Sequence, residues 1–145
     1  MREILFRGQR TDAKEWVEGY YICDHQAFGI DDFHTHICNN PHPSGCFGND
    51  IYKEVIPETV GQFTGLTDKN GTKIFEGDIL HITISDQTGK LIAEANETVE
   101  FKDCKFGISW GHRREFLTFD NFCHTTFEVI GNIHDSPELL GGGIK

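Results

Sequence analysis

The chain has 145 residues, enough for one ordinary domain or two very small ones. Hydrophobic content of 37% and charged content of 25% suit a soluble globular protein, and no apolar run approaches the ~20 residues that span a bilayer. The formal net charge of −10 disfavours nucleic acid as a partner unless basic residues are segregated.

Two compact basic clusters exist, Arg2/Arg7/Arg10 and His112-Arg113-Arg114. Either is able to meet a phosphate, but solubilising surface charge is the simpler reading. The N-terminus carries Arg2, Glu3 and Arg7, with no apolar signal core and no cleavage site, so the expected location is the cytoplasm of the cell that makes the protein. In that compartment the five cysteines are expected as reduced thiols. The twelve phenylalanines are expected to supply much of the core.

In chain order, Ile4-Leu5-Phe6 is a short apolar run ended by Gly8, and the polar stretch from Gln9 to Glu15 reads as a turn. Trp16 to Ile22 is aromatic and β-branched, with Gly19 as a possible bulge, so the two runs predict an antiparallel pair. Asp24 to Asp50 lacks periodicity and holds Pro41, Pro43, Gly45 and Gly48, which predicts a long irregular loop. Ile51 to Ile56 predicts a short strand. From Pro57 to Gly77 the chain is dense in turn chemistry, with Asp68-Lys69-Asn70-Gly71 as a reverse turn whose Asn and Gly tolerate φ > 0.

Ile79 to Ile84 reads as a strand with Leu80, Ile82 and Ile84 on one face and His81 and Thr83 on the other. Leu91 to Ala95 and Thr98 to Phe101 read as strands split at Asn96, the first equally able to form a helical turn. Phe106 to Trp110, Arg114 to Phe119 and Phe127 to Ile133 complete the set. Short strands with turn signals between them suggest a barrel or sandwich. Ser136-Pro137-Glu138 is a helix start, with Ser136 as cap, Pro137 at the first position and Glu138 suited to the dipole.

Several constellations bear on chemistry. Cys23, His25, His34, His36, Cys38, His42 and Cys46 are zinc-type ligands, and on a strand His34, His36 and Cys38 would share a side. Their spacing is not the paired Cys-x₂-Cys of a zinc ribbon, and a polar loop that happens to hold them is the competing reading. Glu58, Asp68, Glu76 and Asp78 could serve as acid and base or hold a cation, but Asp68 is placed to cap its own turn and Asp78 to accept backbone amides where a strand begins. Cys104 and Cys123-His124 supply thiol and imidazole, although neighbours on a strand point apart. No Gly-x-Ser-x-Gly or P-loop pattern occurs. The aromatic set Trp16, Tyr20, Tyr21, Trp110, Phe116 and Phe119 could form a binding platform, or simply be core.

Five segments together resemble the YopX family of phage and prophage proteins. They are Arg2 to Gly8, Trp16 to Tyr21, Thr59 to Gly71, Ile74 to Ile79 and Phe127 to Leu140. Order and spacing match over nearly the whole chain, except for roughly Asp24 to Lys53. The resemblance implies a small β-rich protein encoded on a phage or integrated phage, with no catalytic residues to carry over.

The expected fold is mainly β. An N-terminal β-hairpin region occupies residues 1–77, with the irregular loop and the Gly-rich connector. A C-terminal small β-barrel, SH3-like and closed by a short helical turn, occupies 78–140, and a tail 141–145. The expected function is that of a non-enzymatic accessory protein that assembles with itself or with a host or phage protein. Trp16, Tyr20, Thr64, Asp68, Asp78 and Trp110 are the candidate interaction residues. No cofactor is expected; zinc at His34, His36 and Cys38 is the one candidate. The rival readings are a metal-dependent protein or hydrolase using the His/Cys loop or the central carboxylates, and a nucleic-acid-binding small barrel.

Overall fold

The computed structural model describes residues 3–24, 34–38 and 52–141, with the backbone alone at 22–24, 34, 52 and 141. His25, His42, Cys46 and the tail after Gly141 lie outside the described residues, as does most of the stretch expected to be an irregular loop. The protein is mainly β, with one short helix among the described residues. Contacts divide the chain into two compact units, Met1–Phe63 and Thr64–Lys145.

The first unit holds β1 (Phe6–Gln9), β2 (Trp16–Asp24), β3 (His34–Cys38) and β4 (Tyr52–Glu54). It also holds the start of β5 (Gly61–Thr67), and the strands run in the order β4-β3-β2-β1-β5. The expected hairpin is β1 with β2, in register from Phe6 opposite Gly19 to Gln9 opposite Trp16. Its turn is fixed by Arg10, whose guanidinium grips Asp12 through Nε at 2.9 Å and Nη2 at 2.6 Å. A strand, β3, lies within the stretch that lacks sequence periodicity; Thr35 and Ile37 are buried, and so is Cys38.

Gly19 is not a bulge. The pairing of β2 with β1 and with β3 runs through without a shift. The residue is glycine because β3 passes so close that a Cβ there would overlap the Cys38 carbonyl oxygen. Beyond β4, Val55 packs against Gly8, and Thr59 joins a 3₁₀ turn (Pro57–Thr59) to β1. The Thr59 hydroxyl donates to Ile56 O at 2.6 Å and accepts from Gln9 N at 2.9 Å.

In the second unit β5 pairs with β6 (Lys73–Phe75) across the Asp68-Lys69-Asn70-Gly71 turn, where Gly71 takes φ 83°. The central strand is β7 (Asp78–Ser85), flanked by β8 (Leu91–Thr98) and β12 (Thr125–Asn132) in the order β12-β7-β8. A second sheet has the order β11-β10-β9, built from β9 (Glu100–Lys102), β10 (Lys105–Trp110) and β11 (Glu115–Thr118). The alternation read along β7 is present. Leu80 and Ile82 are fully buried and share a core with Ile74, Val99 and Ile108, while His81 and Thr83 stay half-exposed on the other face. Edge-to-face aromatic pairs close this core: Trp110–Phe122 and Phe122–Phe127 at 5.8 Å, and Phe119–Phe127 at 5.3 Å.

The expected closed SH3-like barrel is not formed. The second unit has two open three-stranded sheets. Val99 links them: between the end of β8 and the start of β9, its N–H donates to Asp78 O at 2.8 Å and its carbonyl accepts from Gly77 N at 3.0 Å. The break expected at Asn96 does not occur, and neither does a helical turn at Leu91, because β8 runs unbroken to Thr98. The helical turn at the C-terminal end is α1 (Glu138–Gly141), and Leu139 N donates to Ser136 O at 3.1 Å.

The β9–β10 turn places Asp103 at φ 50° and Cys104 at φ 63°, the left-handed pair of a tight hairpin, without the glycine that normally signals it. On the adjoining strand, a Cβ at Gly107 would overlap the Leu117 carbonyl oxygen of β11. Gly107→Ala is therefore expected to destabilise the protein by about 1–3 kcal/mol, from overpacking against backbone that cannot yield. Urea midpoints for the two proteins check this; an unchanged midpoint would show that β10 and β11 lie farther apart.

Candidate functional site

The carboxylates singled out in the sequence are engaged by the backbone. Asp68 Oδ1 accepts from Asn70 N at 2.8 Å and Thr72 N at 2.9 Å, closing its own turn. Its Oδ2 accepts from Val129 N at 2.9 Å, at the point where the register of β12 shifts. These amides, that of Val129 first, hold the Asp68 carboxyl below the ordinary carboxylate range. Asp78 is 1% exposed, and its Oδ2 accepts from Phe75 N at 2.8 Å across the turn at Gly77. Thr64 donates to Ile74 O at 2.9 Å and accepts from Leu66 N.

Other candidates are dispersed. Trp16 is half-buried under the Arg7 guanidinium, 4.8 Å from its ring, and Tyr20 is exposed on β2. Cys38 is buried in the first unit and His36 half-buried, while the His34 side chain lies outside the described residues. No group of three His, Cys, Asp or Glu side chains able to hold one metal ion occurs among the described residues. Cys123 and His124 are exposed and precede β12, with His124 at φ 50°. Among the described residues no helix is long and apolar enough to cross a membrane.

Of the predicted interaction residues, Trp110 lies in a concave site. Its ring lines a cleft of about 380 Å³ with Glu94, Ala95, Glu97, Gly111, His112 and Arg114. Glu94 and Ala95 are successive residues of β8 and point to opposite faces of its sheet, so the edge of the strand itself forms one wall. Glu97 follows on the core-facing side, opposite Leu80, and its side chain is only 10% exposed. Arg114 reaches it from the β10–β11 loop, Nη1 to Oε1, at 2.8 Å. That hydrogen bond, supported by the Glu97 and Glu100 charges, raises the Arg114 pKa against the opposing effect of partial burial.

On the other face of β8, His81 Nδ1 lies 2.8 Å from Asn96 Oδ1 and its Nε2 lies 3.5 Å from Glu94. Asn96 in turn donates to Leu139 O of α1 at 3.1 Å. β8 is the outer strand of its sheet, and near its start Leu91 and Ile92 are 50% and 61% exposed. Sequence reading missed Glu97 because its partner stands 17 residues later, across a hairpin; the one visible signal was the basic cluster containing Arg114.

These observations define a small mainly-β protein whose outer strand β8 borders a cleft lined by Trp110. The chain belongs to the YopX protein family, whose model matches residues 5–141. Among solved structures it is similar to the crystal structure of protein EF1440 from Enterococcus faecalis, at 27% identity and a TM-score of 0.57. That similarity covers 97% of this chain and 99% of the other. No curated protein matches it.

The pH dependence of the Asp68 anchor has a definite sign. A carboxyl whose pKa is depressed on folding contributes stability above its unfolded pKa, and that contribution is lost as pH falls through the folded value. Asp68→Asn puts an NH₂ donor or a single carbonyl where two acceptors stood, so the variant is expected to be less stable at neutral pH. The gap should narrow as pH drops below the carboxylate range. Urea unfolding of both proteins at neutral and acidic pH checks this; a gap independent of pH would mean the charge does not matter.

Proposed function

We propose that this protein is a phage- or prophage-encoded accessory protein of the YopX type that works by holding a polypeptide chain, not by catalysing a reaction, in the cytoplasm of a bacterial cell. The observation that carries this reading is the outer edge of β8, where Leu91 and Ile92 are exposed on an outermost strand beside the Trp110 cleft. An outer strand is a template for another strand, and among the described residues no strand pairs with this side of β8, whose register against β7 shifts at Ile92. The polar groups that the sequence offers for chemistry support the same reading, since Asp68 and Asp78 accept hydrogen bonds from backbone amides. The net charge of −10 favours a protein partner over nucleic acid. The held chain is a second copy or a host or phage protein.

Placing a photo-crosslinking amino acid at position 92, in cells carrying the phage genome, tests this. Irradiation is expected to give a discrete adduct, with mass spectrometry showing a peptide joined at that position. The same residue at the exposed position 103 is expected to give none. No adduct at 92 above the level at 103 would remove the basis for the reading.

A further inference from the structure

We propose that the outer edge of β8 takes an extended, uncharged segment of another protein, with large apolar side chains at alternate positions, and that one of these fills the Trp110 cleft and completes the core of the second unit. This rests on the reading of β8 as a holding edge and names the chemistry of what it holds.

The space comes from the small residues of β8. Its pairing with β7 puts Ala93 opposite Ile84, Ala95 opposite Ile82 and Glu97 opposite Leu80, so these three share the core side of the sheet. Leu80 and Ile82 are fully buried there, whereas both alanines stay half-exposed. The sheet thus carries its bulk on the central strand and little on the outer one. Where Ala95 leaves room, the cleft of about 380 Å³ opens, lined also by the Trp110 ring. Trp110 packs against the core and meets Phe122 edge to face at 5.8 Å. A strand laid along β8 would turn alternate side chains to this same side, one of them beside Ala95. A leucine, isoleucine or phenylalanine there would lie against Trp110 and gain the burial that alanine forgoes. Strands added to a sheet gain affinity from main-chain hydrogen bonds and specificity from such pockets.

Charge points the same way. The Arg114 guanidinium already sits on the Glu97 carboxylate at 2.8 Å. Glu94 borders the cleft, but its carboxylate lies on the opposite face of β8, 3.5 Å from His81 Nε2. The carboxylates of β8 are met within the fold or turned away, so an uncharged side chain is their complement, and a buried cation there would lack a free partner. A second copy of β8 does not supply that side chain. From Ala93 to Glu97 it offers the core side only two alanines and a glutamate, so pairing two β8 edges would leave the cleft unfilled.

The probe is a short peptide of alternating leucine and threonine, added to the full isotope-labelled chain and followed by NMR. Shifts are expected in the backbone amides of β8 and in the Trp110 indole N–H, and raising the salt should change them little. An alanine–threonine peptide offers the same backbone without the bulk and should bind about tenfold more weakly. A lysine–threonine peptide should bind no better than the alanine one. A leucine–proline peptide, short of N–H groups to pair, should leave β8 unmoved. Ala95→Leu fills the cleft from within and should abolish the Trp110 shift, with a urea midpoint no lower than the parent's. If that variant unfolds, the comparison of peptides on the unaltered chain still decides. Equal binding of the leucine and alanine peptides, tighter binding of the lysine peptide, shifts away from β8, or no binding would overturn the inference. So would light scattering that shows a dimer disrupted by Ala95→Leu. If the leucine peptide fails while position 92 still crosslinks, the holding edge stands and its apolar partner falls; if both fail, both fall.

Discussion

The second unit depends on one buried carboxylate. Asp68 accepts three backbone amides, two from its own turn and one from Val129, 61 residues away. Lys69 N donates to Phe127 O at 3.1 Å beside it, so the turn after β5 is fastened to β12 at two points. β12 is thereby held against β7, and the Phe127 ring is set among Phe119, Phe122 and the core. A charged acceptor is suited to this task, because one carboxylate holds several amides at once and its hydrogen bonds are stronger than those of a neutral acceptor. Asp78 repeats the device at the next turn, one strand away.

With β12 fixed on one side of β7, β8 becomes the outer strand on the other. At its end Val99 bonds both Asp78 and Gly77, which ties the passage into β9 to the turn before β7. The chain then enters β9, and Arg114 of the β10–β11 loop meets Glu97 of β8. The cleft is thus a product of the same turn chemistry that closes the core. Its acidic character is local to the edge strand, and its aromatic wall is a core residue, Trp110, whose remaining face looks outward.

Much of this was legible in the residues, and the reasons differ from element to element. Leu80, Ile82 and Ile84 announce β7 because a half-buried strand imposes period two on one face. Asp68 to Gly71 announces a turn because Asn and Gly accept left-handed backbone, and Ser136-Pro137-Glu138 announces a helix start because a hydroxyl, a fixed φ and an acidic first turn each favour one. What was not legible depends on distant partners. Gly19 reads as a bulge until β3 is laid across it. β8 reads as two pieces because Asn96 is a poor strand former in isolation; in place, its amide joins His81 to Leu139. The left-handed pair Asp103–Cys104 carries no glycine, so its hairpin had no local mark. An open pair of sheets and a closed barrel share the same run of short strands, so the run alone does not decide between them.

The account centres on an edge of β8 that stays open in the isolated protein while Asp68 locks the opposite side of the sheet. Residue-resolved amide hydrogen exchange of the purified chain measures both at once. The Val129 amide should exchange as slowly as those of β7, and amides along β8 should alternate, slow where they face β7 and fast where they face away. Uniform protection along β8, equal to that of β7, would mean the edge is already covered and would contradict the account.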